Sequence, residues 1–186
     1  MMQNNKRFLK GPMPMDQEKH IFTDNSRWKW VIRWLATHMA ATAFGFALGV
    51  YLLPILTQPP SPDQMILSAA AESALYAGEF QRDLDGSDFF HWGVGTVSLT
   101  ADSIVHQGSL APGPDYMAYL SPVFVSNEAE FLAVKDQSLS IGSVKTFDGF
   151  MLPLTAQIPL GDFKAVIIWC EAFGEFITAA ELAPSR

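Results

Sequence analysis

Cys170 is the one side chain in this 186-residue sequence that could carry thiol redox chemistry, because it is the only cysteine. It closes the apolar run Val166-Ile167-Ile168-Trp169-Cys170. A lone cysteine excludes an intramolecular disulfide, a CxxC redox pair, CxxCH haem attachment and any multi-cysteine zinc or iron–sulfur site. A blue-copper centre would need a histidine and a methionine shortly after the cysteine, and Glu171 to Arg186 supply neither. A reactive thiol needs a nearby cation or helix N-terminus to lower its pKa. Glu171 has the wrong sign, although adjacency in a strand puts it on the opposite face. Otherwise a free cysteine in such a run behaves as a small hydrophobe. Redox centre and core residue both stay open for Cys170.

Four other side chains could ligate a noncovalent haem: His91, His106, Met117 and Met151. The competing reading makes both histidines strand residues satisfied by backbone partners. Asp83-Leu84-Asp85-Gly86-Ser87-Asp88 has the acidic spacing of a calcium loop, whose ligands are hard oxygens. The twelfth position, where an EF-hand carries glutamate, is Val94, so an exposed hairpin turn competes with a metal role for Asp83, Asp85 and Asp88. Gly93-Val94-Gly95 begins like a dinucleotide loop but runs into strand-like sequence, the wrong context. HExxH, GxSxG and the P-loop are missing, so hydrolase and nucleotide chemistry lack a constellation. No cofactor is specified.

The elements that must position these groups start with an unequal charge distribution. Residues 1–33 carry seven basic and three acidic side chains, a balance of +4, whereas residues 57–186 carry five and sixteen, a balance of −11. Between them, Trp34 to Leu56 is 23 residues without Asp, Glu, Lys or Arg. As a helix it is roughly 34 Å long, enough for a hydrocarbon core of about 30 Å. Trp28, Trp30, Trp34 and Tyr51 flank it where amphipathic rings favour the interface. The span is longer than the apolar core of a cleaved signal peptide, so it reads as an uncleaved signal anchor. The positive-inside rule places residues 1–33 in the cytoplasm and the acidic part in the periplasm or outside the cell. Gly45 and Gly49, extended backwards by Ala41 and Thr37, have the small-residue spacing of a helix dimer. His38 lies about one turn inside the cytoplasmic boundary, within reach of the headgroups. The acidic outer part argues against nucleic acid as a partner.

Thr57-Gln58-Pro59-Pro60-Ser61-Pro62 reads as a semi-rigid linker. Ser61, Pro62 and Gln64 predict an N-cap, a first-turn proline and a capping-box partner for a juxtamembrane helix from Met65 to Ala77. Its apolar face would comprise Met65, Ile66, Ala69, Ala70 and Tyr76, and Gly78 would end it. Beyond Gly78 come short β-like runs between turn residues. Phe90, Trp92 and Val94 alternate, then Val97 and Leu99 with opposite parity, which predicts a bulge at Gly93 and Gly95. Ala101-Asp102 and Pro112-Gly113-Pro114-Asp115 are turns. Further strands are expected at 104–106, 116–120, 139–144, 150–152, 165–170 and 175–180. The fold class is mainly β, an antiparallel sandwich or small barrel after one transmembrane helix and a short juxtamembrane helix. The chain divides into a tail (1–33), an anchor (34–56), a linker with helix (57–77) and a β domain (78–186).

The residues of the β domain resemble the DM-thirteen domain family, the electron transfer DM domain. The resemblance rests on Gly78-Glu79-Phe80, His91-Trp92-Gly93-Val94-Gly95-Thr96-Val97 and Gly113-Pro114-Asp115. It continues through Tyr119-Leu120-Ser121, Ile141-Gly142, Lys145, Gly149 and Leu152-Pro153 to Val166–Cys170, Phe173, Phe176, Ala179 and Leu182. It spans residues 78–182. Phe150 departs from it, standing where the family leads one to expect tyrosine. The resemblance implies an extracytoplasmic all-β domain and a redox role centred on Cys170, with His91 matching a family histidine. Two functions follow. One is a membrane-anchored module exchanging electrons with a membrane electron carrier. The other is a noncatalytic module binding an envelope protein, with Cys170 in its core.

Overall fold

The computed structural model describes residues 25–154 and 158–185. The charged residues of the tail up to Asp24, namely Lys6, Arg7, Lys10, Asp16, Glu18, Lys19 and Asp24, lie outside them. Contacts divide the chain into two compact units, residues 1–42 and 43–186.

The first helix, α1 (Asn25–Thr57), contains the uncharged span. Its Ser26–Thr57 segment is long and apolar enough to cross a membrane, its most apolar 18-residue stretch having a mean hydropathy of 1.9. Three of its polar side chains bond within the helix: Thr37 Oγ1 donates to the Trp34 carbonyl at 2.8 Å and Thr57 Oγ1 to that of Leu53 at 2.8 Å. His38 Nδ1 likewise donates to the Trp34 carbonyl at 2.8 Å. Such bonds remove the cost of exposing a polar group to hydrocarbon.

The juxtamembrane helix α2 (Gln64–Ala71) is shorter than expected. Its N-cap is Asp63 rather than Ser61, and the Asp63 carboxylate accepts from the Met65 amide at 2.7 Å. Met65 and Ile66 are exposed, and Leu67 is the residue it buries. Gln64 Nε2 donates to the Asp148 carbonyl at 3.3 Å, and Gln107 Nε2 to Ser68 Oγ at 3.0 Å. The helix does not reach Ala77, because Tyr76–Phe80 is claimed by a strand, β1, that gains a ladder on both sides. Gly78 is therefore a strand residue opposite Val97 and not a helix terminator. A Cβ there would lie 2.2 Å from the Glu181 carbonyl oxygen, so glycine permits the close approach.

The remaining strands are β2 (Gly93–Leu99), β3 (Ser103–Leu110), β4 (Tyr116–Ser121), β5 (Leu139–Val144), β6 (Phe150–Pro153), β7 (Ala165–Cys170), β8 (Glu175–Glu181) and β9 (Ala183–Pro184). They form two antiparallel sheets, ordered β6-β3-β2-β1-β9 and β5-β4-β7-β8, and not a closed barrel. The bulge expected at Gly93 and Gly95 is absent: β2 keeps one register against both β1 and β3. Phe90 and Trp92 belong to a turn ahead of the strand, so their opposite parity needs no correction inside it. Irregularities fall instead at Ala118/Tyr119 and at Ile168/Trp169.

The main core lies between the sheets, where Val97, Leu99 and Ile104 meet Ala118, Leu120, Val166, Ile168 and Ile177. A second core covers the outer face of the second sheet, with Tyr119, Ile167, Trp169 and Phe176 under Phe131 of a third helix, α3 (Glu128–Val134). All six residues of β7 are buried as a result, which is why that run is continuously apolar instead of alternating. The sequence reading missed α3. Its signal was Asn127 with Glu130: Asn127 Oδ1 accepts from the Glu130 amide at 3.0 Å, and Glu130 accepts from the Ser126 amide at 2.8 Å.

Candidate functional site

Cys170 ends β7, opposite Tyr116 of β4 and Glu175 of β8. Even strand positions of β7 point between the sheets, so its side chain joins Val166 and Ile168 in the main core. Sγ donates to the Pro114 carbonyl at 3.1 Å. Burial pushes the thiol pKa up, the amides of Phe173 and Ala172 pull it back, and the carboxylates of Asp115 and Glu175 raise it further. The balance is upward, so the sulfur is a protonated thiol at neutral pH and a poor nucleophile.

The loop before β4 shapes what surrounds the thiol. Pro112 and Pro114 stiffen it, and Asp115 adopts φ 54°, which turns its carbonyl to accept from the Glu171 amide at 3.0 Å. That role as a turn residue agrees with its sequence context. Tyr116 is buried against Gly113, where a Cβ would lie 2.3 Å from the phenol oxygen. Burial, followed by the acidic groups of Cys170 and Asp88, raises the Tyr116 phenol far above its ordinary value.

His91 reaches the same place from a turn locked by Asp88. One Asp88 carboxylate oxygen accepts from the amides of Phe90 at 2.6 Å and His91 at 2.7 Å, and the other lies 3.0 Å from His91 Nδ1. The Asp88 amide donates back to the His91 carbonyl at 2.9 Å. Burial works against the Asp88 charge, but the His91 ring and these two amides outweigh it and hold the carboxyl below its usual range. An aspartate so placed orients the imidazole and keeps Nε2 as the nitrogen available to a ligand.

These pieces border one half-open cavity of about 310 Å³. His91, Phe90, Pro114, Tyr116, Cys170, Phe173 and Ile177 line it together with Phe46, Ala47, Val50 and Tyr51 of α1, all within the 43–186 unit. A neighbouring cavity of about 360 Å³ lies beyond Tyr116, reaching Lys145 and Phe147. Cys170 and His91, far apart in sequence, thus share a wall.

The other expected ligands do not join them. His106 is fully buried on the inner face of β3, between the rings of Phe80 and Phe150, each 5.0 Å away. Its Nε2 donates to the Val94 carbonyl at 3.0 Å, as expected of a backbone-satisfied strand histidine, but Nδ1 has no partner. Burial lowers its pKa to about 4, against the smaller upward effect of the Val94 bond. Met117 faces the opposite way, into the second core, and Met151 is exposed on the edge strand β6. The cavity lining holds one histidine and no methionine, so it pairs His91 with neither His106 nor a methionine. Asp83, Asp85 and Asp88 do not converge either: Asp85 accepts from Ser126 Oγ at 3.3 Å, while Asp88 is spent on the His91 turn. Among the described residues no three His, Cys, Asp or Glu side chains are placed to hold a metal ion. Gly45 and Gly49 remain open on α1, with nothing within 4 Å of either added Cβ.

One polar cluster escaped the sequence reading. Glu171, on the far side of the strand from Cys170, accepts from the Tyr119 hydroxyl and, at 2.7 Å, from Lys135 Nζ. Lys135 also sits 5.0 Å above the Trp169 ring. Burial disfavours the Glu171 carboxylate, yet the bonds from Lys135 and Tyr119 hold it below its usual range. Burial and the Glu171 bond push Tyr119 up to about 12. Only α3 and the helical turn after it bring Lys135 there, so adjacency in sequence carried no hint.

Two facing antiparallel sheets with the thiol at the end of the interior strand β7 define an all-β domain. The family comparison gives it a class: the model described as Electron transfer DM13 matches residues 80–182, more than half of the chain, and the chain belongs to that family. The family supports a redox-related role in general terms. Neither a curated protein nor a solved structure matches the chain.

Proposed function

We propose that the chain is a membrane-anchored electron-transfer module whose redox site is the cavity shared by Cys170 and His91, with α1 as an uncleaved anchor. Residues 1–33 would face the cytoplasm and the β domain the periplasm or cell exterior, where it meets a membrane electron carrier. A second copy could pair through Gly45 and Gly49. The observation that carries the reading is the convergence of the family-matched cysteine and histidine on one largely apolar cavity. Membership of an electron-transfer family raises its weight without naming the chemistry.

A second reading has its own observation. The Cys170 thiol is buried, bonded to a carbonyl and pushed towards its protonated form, which suits a core residue of a noncatalytic binding module. An oxidised-minus-reduced optical spectrum of the full-length protein, purified from its own host in detergent, separates the two. Stoichiometric bands that vanish in Cys170→Ser or His91→Ala support the electron carrier and locate a ligand. A blank spectrum removes a resident chromophore and favours the binding module.

A further inference from the structure

We infer that the β domain rests on the surface of the membrane to which it is tethered, with Phe89, Phe90 and Phe173 seated in the bilayer interface. This deepens the reading of a membrane-anchored module and rests on it. Which end of the domain faces the bilayer follows from where the chain enters it. α1 ends at Thr57 and α2 begins at Gln64, so residues 58–63 reach no further than about 25 Å. α2 is fastened beside the β5–β6 connection. Gln64 Nε2 donates to the Asp148 carbonyl, and Leu67 is buried with its Cδ1 2.9 Å from where a Cβ on Gly149 would lie. Strand pairing places the β1–β2, β3–β4, β5–β6 and β7–β8 connections at one shared end of the two sheets. The short tether therefore holds that end towards the bilayer.

The same end carries apolar tips that the fold leaves in water. Phe89 of the β1–β2 connection is 79% exposed, its neighbour Phe90 57%, and Phe173 of the β7–β8 turn 53%. Phe89 meets Phe90 edge to face, and Phe90 and Phe173 border one cavity, so the three rings form a group and not scattered surface residues. Contact with a bilayer also requires backbone groups that are already paired. Asp88 holds the Phe90 amide, the Gly174 amide donates to the Cys170 carbonyl at 2.9 Å, and the Glu171 amide donates to Asp115. The rings thus stand on closed turns and lose little freedom on insertion. Charge selects the kind of surface. Asp88, Asp115, Asp148 and Glu175 outnumber Arg82 and Lys145 around these loops, so anionic headgroups are repelled and zwitterionic ones are favoured. With α1 inserted, its own residues lie in the bilayer and cover none of these tips.

The test uses the full-length chain in phosphatidylcholine nanodiscs doped with a phosphatidylcholine that carries a diazirine high on its acyl chain, mapped by peptide mass spectrometry. Labelling of α1 and of segments 87–92 and 172–174 is expected, with the opposite turn at Ala101–Asp102 clean. Phe89→Ser combined with Phe90→Ser should lower labelling of the unaltered 172–174 segment about tenfold, because two rings return to water. Phe173→Ser should lower labelling of 87–92 in turn. All three rings are exposed, so the variants keep the fold, and α1 labelling serves as the internal reference. Mixing in phosphatidylglycerol should weaken the loop labelling, and a rise would overturn the choice of a zwitterionic surface. Label on α1 with both loop segments clean overturns this inference alone and leaves the aromatic tips to a protein partner. Equal labelling of Ala101–Asp102 means a freely tumbling domain and overturns it as well. An unlabelled α1 removes the anchor reading together with this one.

Discussion

Acidification from pH 7 to pH 5 should cost the folded β domain about 2 kcal/mol through His106 alone. The imidazole is fully buried between Phe80 and Phe150, with Nε2 committed to the Val94 carbonyl and Nδ1 without a partner. Its folded pKa is about 4, below the ordinary 6.5, because protonation would place an unpaired charge in the core. The unfolded chain therefore binds the extra proton first. Stability is lost as pH falls through the unfolded value and levels off below the folded one, reaching about 3 kcal/mol in total. Asp88 and Glu171, held ionised by their bonds, lose their contributions only lower, in the ordinary carboxylate range, so they leave this window to the histidine. The assay is urea unfolding of the full-length chain in mild detergent, followed by the fluorescence of Trp169, which is buried in the second core. His106→Gln keeps an amide donor for Val94 and cannot titrate, so it should flatten the profile. An unchanged slope in that variant, or a flat wild-type profile, would refute the account of His106 as a neutral core residue.

Cys170 should resist alkylation in the native chain at neutral pH and react fully after unfolding, since burial and a raised pKa both suppress the thiolate; rapid native labelling by iodoacetamide would contradict this placement. Gly95 has φ +112° and a Cβ there would lie 2.3 Å from the Gln107 carbonyl oxygen. Gly95→Ala should therefore lower stability by more than about 2 kcal/mol in the same urea assay. Phe131→Ala empties the site between Tyr119 and Trp169 and should cost about 3–5 kcal/mol; a loss below about 1 kcal/mol would mean that α3 does not seal the second core. A double-mutant cycle of Lys135→Met and Glu171→Gln should return a coupling of about 1 kcal/mol, since both side chains are partly exposed. Glu171→Gln should also bring the Tyr119 phenol down from about 12 towards its ordinary value, read by ultraviolet absorbance titration.

Local patterning carried most of the element list. The uncharged span reads directly as a long apolar helix because hydropathy over a window needs no tertiary partner. The strands 139–144, 165–170 and 175–180 were legible from apolar runs between turn residues, and the structure has them within a residue. Errors arose where a segment's state depends on a distant neighbour. Tyr76 and Ala77 look helical in isolation, but β2 and β9 offer them a ladder on each side. The alternation of Phe90 and Trp92 with Val94 was also misleading. Asp88 folds the segment before β2 into a turn by accepting from the Phe90 and His91 amides, so the alternation there belongs to no strand.

The site divides the same way. Composition alone determined that a single thiol is present, that an intramolecular disulfide and multi-cysteine metal chemistry are excluded, and that the acidic part follows an apolar span. Motif order pointed to the family that the comparison shows. Only the tertiary structure decided which residues meet. Strand pairing sets Cys170 beside Tyr116, the capped turn swings His91 into the same chamber, and Met117 is turned away by the two-residue period of β4. The physical reason is that residue type and spacing act locally, whereas burial, pKa and convergence depend on register between segments far apart in the chain.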